Sequence, residues 1–60
     1  MDIFDFALKM ELESENYYRE QAKSTNFTDL RILLENLADA EARHYKIVGA
    51  LRLQNNELLP

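Results

Sequence analysis

Two apolar rows at helical spacing, interrupted once, constrain this chain more than any other feature. The first row runs through Phe4, Ala7 and positions 11, 14, 18 and 21/22, in steps of three and four. The second runs through Leu30, Leu34, Leu37, positions 41 and 44, Val48 and Leu51. Such spacing draws one stripe along an α-helix. The interruption is Lys23-Ser24-Thr25-Asn26-Phe27-Thr28-Asp29. Its Ser, Thr and Asn side chains compete for backbone hydrogen bonds and end the first helix. Asn26 or Thr28 is expected to cap the second helix, with Asp29 facing the positive end of its dipole. The pattern predicts a helix over about 3–23, a turn over about 24–28 and a helix over about 29–54. The second helix is expected to fade near Asn55-Asn56, and Pro60 cannot extend it.

A hairpin of two helices cannot enclose a core. Chains of 60 residues bury only about 60% of the surface their unfolded forms expose, and usually need a staple. With no Cys the staple is neither a disulfide nor a sulfur-ligated metal. Oligomerisation remains, or a metal held by carboxylate and His. Ile3, Phe6, Leu8, Met10, Tyr17, Leu33, Tyr45, Ile47 and Leu53 flank the stripes, which makes the apolar face wider than one partner helix covers. The expected fold class is all-α: residues 1–60 form a single half-bundle domain, an antiparallel hairpin that pairs with itself into a four-helix bundle.

Charge narrows the partners. The formal net charge is −4, which repels phosphate backbones and anionic membrane surfaces, so neither nucleic acid nor membrane is expected. No apolar run approaches the roughly 18 residues that span a bilayer. The opening Met1-Asp2-Ile3-Phe4-Asp5 has no basic stretch of the signal-peptide kind, and the cytoplasm is the expected compartment.

Three ionisable residues stand on the stripes where apolar ones belong. Glu11 lies between Ala7 and Ser14; Glu41 and His44 lie between Leu37 and Val48. Singly, each reads most simply as a side chain reaching past the stripe to water. Together they share a height. With the turn centred near Asn26, Glu11 is fifteen residues before it and Glu41 fifteen after. Both then sit roughly 22 Å from the turn at 1.5 Å per residue. His44 follows Glu41 by one turn on the same face. An unpaired carboxylate there is costly, and a cation satisfies all three groups at once. A two-fold dimer doubles the set to four carboxylates and two imidazoles, whose −4 balances two divalent ions. Oxygen-rich sites with His suit Fe or Mn, with Zn also able to bind. Ser14 leaves room beside Glu11. Tyr18, seven residues past Glu11, shares its face and can place a hydroxyl near a metal-bound group; the plainer role is a core aromatic. Glu13, Glu15, Glu20, Glu35 and Asp39 read chiefly as a solvated face, with Glu15–Arg19 a favourable i,i+4 pair.

The string Ala7-Leu8-Lys9-Met10-Glu11-Leu12-Glu13-Ser14-Glu15-Asn16-Tyr17-Tyr18 resembles the first helix of rubrerythrin-type ferritin-like domains. Leu37-Ala38-Asp39-Ala40-Glu41-Ala42-Arg43-His44 resembles their second. Most such domains hold four helices in one chain; this chain resembles half of one and is similar in that respect to the encapsulated ferritins. The ferritin-like set is a Glu from each of two helices and Glu-x-x-His from each of the other two. The resemblance implies Glu11, Glu41 and His44 as iron ligands, Tyr18 beside them, and two Fe ions per homodimer. It implies oxidation of Fe(II) by O2 or peroxide, as ferroxidase, peroxide detoxification or iron handling. Without Cys there is no rubredoxin-type iron. The alternatives are a metal-free dimerisation module and a metal site that only stabilises the bundle.

Overall fold

The structure, a computed structural model, describes residues 2–58. It contains two helices, α1 (Ile3–Ser24) and α2 (Thr28–Leu58), packed as an antiparallel hairpin. The all-α hairpin expected from the spacing is therefore present. Helix α1 starts on an Asp2 cap, whose carboxylate accepts from the Asp5 N–H at 2.8 Å. It ends where Thr25 turns extended (φ −80°, ψ 144°) while its N–H still donates to Gln21 O.

The connection, residues 25–27, is shorter than expected, and its capping differs. Neither Asn26 nor Thr28 caps α2. Phe27 stands at the boundary, and its carbonyl accepts the first helical bond from the Arg31 N–H at 3.0 Å. The Thr25 hydroxyl accepts from the Phe27 N–H at 3.2 Å and steadies the turn in place of a side-chain cap. Arg31 then folds back over the end of α1. Its Nε donates to Ala22 O at 3.3 Å and its Nη2 to Thr25 O at 2.9 Å, satisfying carbonyls that a helix end leaves free. Helix α2 also passes the expected fading point, because Asn55 donates to its own helix at Leu51 O, 2.9 Å, and does not break it. Pro60 lies outside the described residues.

The seam between the helices is narrow. Ala22 and Ala38 are the buried apolar residues, at 3% and 0% exposure. The single apolar row read along α2 divides in two. Leu34, Ala38, Glu41 and Val48 are the more shielded and turn toward α1, whereas Leu30, Leu33, Leu37, His44, Ile47 and Leu51 are exposed on one flank. On α1, Ile3, Phe6, Met10 and Tyr17 are likewise exposed along one flank. At 100° per residue, and with the helices antiparallel, both flanks fall on the same side of the hairpin. The other side carries exposed Leu12 and Leu53 and the ion pairs between the helices, Arg19 to Asp39 (3.1 Å) and Arg52 to Asp5 (2.6 Å).

Candidate metal centre

Glu11 comes from the middle of α1, and Glu41 and His44 from the middle of α2, one turn apart. Equal distance from the connection brings them to one level, as the sequence predicts. One ligand atom from each lies within 4.8 Å of the others. The His44 Nδ1 is 3.3 Å from Glu41 Oε1 and 3.6 Å from Glu11 Oε2. The carboxylates are mostly shielded, with side chains 23% and 22% exposed, whereas the imidazole is 53% exposed on the apolar flank. The site thus opens toward that flank.

Glu11 is held above the usual carboxylate range. The largest cause is the Glu41 carboxylate beside it, with which Glu11 can share a proton. Burial and the Glu41 charge push the same way, and His44 opposes them. Even so, Glu11 Oε2 is a buried oxygen with no hydrogen-bond partner among the described residues. An orphaned carboxylate oxygen beside a second carboxylate and an imidazole is the donor set a divalent cation satisfies. The residues therefore fit a metal ion.

Tyr18 lies seven residues nearer the connection, about 10 Å along the axis. It is half-buried and its ring meets Tyr17 edge-on, with centroids 5.9 Å apart and planes at 68°. Asp39 accepts from Arg19 Nη2 at 3.1 Å. Glu15 accepts from the same arginine at 2.8 Å, as the i,i+4 spacing suggested. The cross-helix partners of Arg19 and Arg31 were not expected from the sequence. Such pairs depend on how the two helices are rotated about their axes, which no spacing within one helix records. A shallow groove of about 460 Å³ lies near the connection, lined by Arg19, Ala22, Lys23, Arg31, Glu35 and Asp39. It is apart from the carboxylate–imidazole cluster.

One Glu opposite Glu-x-x-His on a helical hairpin has the composition of half a ferritin-like carboxylate set. The rubrerythrin family model matches residues 2–57, and the chain belongs to the rubrerythrin family. No curated protein and no solved structure matches it.

Proposed function

We propose that two copies of this chain pair through their apolar flanks and hold two iron ions between them, and that the centre oxidises Fe(II) with O2 or peroxide. The observation that carries this is the Glu11–Glu41–His44 cluster, with its orphaned oxygen and with His44 opening onto the uncovered flank. A rubrerythrin-family chain with one such half-set reaches the full ferritin-like set only by adding a second. Bound iron supplies the electrons for the oxidant, in a ferroxidase, a peroxide-detoxifying or an iron-handling role. The chain's residues supply the rest. Glu11 and Glu41 provide negative charge that matches divalent ions. His44 offers Nδ1 to the same level. The apolar flank, once covered, excludes bulk water from the cluster. Tyr18 stands in reserve on the Glu11 face, its hydroxyl a candidate proton or hydrogen-bond donor. Mn or Zn could occupy the same donors. No helix among the described residues is long and apolar enough to cross a membrane, and the proposed compartment is the cytoplasm.

Anaerobic Fe(II) titration followed by ultraviolet absorbance tests this. Uptake should saturate near two irons per dimer, and Glu41→Ala should abolish it. Oxidation of the bound iron on adding O2 or peroxide then marks a reactive centre; bound iron that stays Fe(II) marks a structural one. A metal-free dimerisation module is the second reading. It is favoured by the closeness of Glu11 and Glu41, two carboxylates that can share a proton in place of a metal. No uptake at micromolar protein would establish it.

A further inference from the structure

Glu15 is the carboxylate that shares the inward face of α1 with Glu11, one turn nearer the connection. Four residues give a rise of about 6 Å, within the swing of a Glu side chain. Its side chain is 21% exposed, as shielded as Glu11. Yet the cluster of Glu11, Glu41 and His44 gathers without it. Arg19 accounts for this. Its Nε donates to Glu15 Oε2 at 2.8 Å, and its Nη2 donates across the hairpin to Asp39 Oδ1 at 3.1 Å. A planar fork tied at both ends fixes the carboxylate it holds better than a single flexible contact does.

Building on the di-metal reading, we propose that Arg19 is a positioning residue that keeps the Glu15 carboxylate off the metal and so leaves a coordination position open. An open position separates a reactive metal site from a closed structural one. Charge points the same way. Recruiting Glu15 from both copies would put six carboxylates around two divalent ions, whereas Glu11 and Glu41 alone balance them. Arg19 and Asp39 lie on the side of the hairpin away from the flank of Ile3, Phe6 and Met10, so covering that flank leaves the latch in place.

Cobalt(II) titration, read by affinity and by the visible absorption of the bound ion, tests the proposal. Arg19→Gln should bind Co(II) about tenfold or more tightly, within the range by which supporting residues tune metal sites. Its visible bands should weaken, as an added ligand raises the coordination number. Adding Glu15→Gln to that variant should restore both readouts. Asp39→Asn weakens one end of the fork and should shift both readouts the same way by less. A folded Arg19→Gln protein with the affinity and bands of the parent chain would overturn the proposal and reduce Arg19 to a clamp between helices. Glu15→Gln alone gives a check that does not depend on how well Arg19→Gln folds. It should bind Co(II) like the parent, and a loss of affinity there would make Glu15 a ligand and overturn the proposal. Glu41→Ala separates the two levels: a parent chain that binds Co(II) no better than this variant overturns the di-metal reading itself.

Discussion

Glu11 shows how one residue couples the site to stability. Its folded pKa is raised above the ordinary 4.5, first by the neighbouring Glu41, with which it can share a proton, and then by burial. The folded chain therefore favours the protonated form. That contribution to stability is full below the ordinary value and is lost as pH rises through the raised one. Metal-free protein should lose resistance to urea as pH rises from the ordinary carboxylate value through the raised one. Glu11→Gln should flatten the dependence. With metal bound the slope should reverse, because the ligands must shed their protons to bind. Urea midpoints measured across that range, with chelator and with metal, check both signs. The three ligand candidates were legible in the sequence because helical spacing and distance from the turn fix their height without any knowledge of packing. Arg19 and Arg31 were not, because each meets its partner across the hairpin, at an azimuth that depends on how one helix is turned against the other.

At the scale of the elements, the sequence resolved where each helix begins and ends to within a residue or a turn. It misread the turn chemistry and the width of the seam. In place of the α2 cap expected of Asn26 or Thr28, Thr25 steadies the connection at the Phe27 N–H and Arg31 satisfies carbonyls at the end of α1. Arg31→Ala should therefore cost about 1 kcal/mol, by freeing carbonyls at the end of α1. Chemical denaturation of the metal-free chain measures it. Gly49 offers the opposite change. It lies inside α2, and a Cβ built there meets nothing within 4 Å. Gly49→Ala should raise stability by about 0.5–1 kcal/mol through helix propensity alone. The seam was read as one row because 3-4 spacing tolerates neighbouring residues such as Leu33 and Leu34, or Leu37 and Ala38. Only packing shows which of each pair turns inward.

The whole molecule measures 52 × 18 × 10 Å in its Cα positions, one helix thick. It has no interior in which Leu37, Ile47, Met10 and their neighbours could hide, and covering them is the task left to the second copy in the proposed assembly. Ile47→Glu, on that flank but outside the cluster, should weaken self-association without altering the helix content of the single chain. Sedimentation at several concentrations, with circular dichroism alongside, reads both. Chelator should act in the same direction as Ile47→Glu by leaving carboxylates crowded at the shared site. The thinness has a kinetic consequence as well. In a slab one helix deep every backbone amide lies within a helix radius of solvent, so slow hydrogen exchange has no source within a lone chain beyond the helical bonds themselves. In the proposed assembly lasting protection comes from encounter with a like chain, and its build-up after dilution from denaturant is second order, set by how often two chains collide.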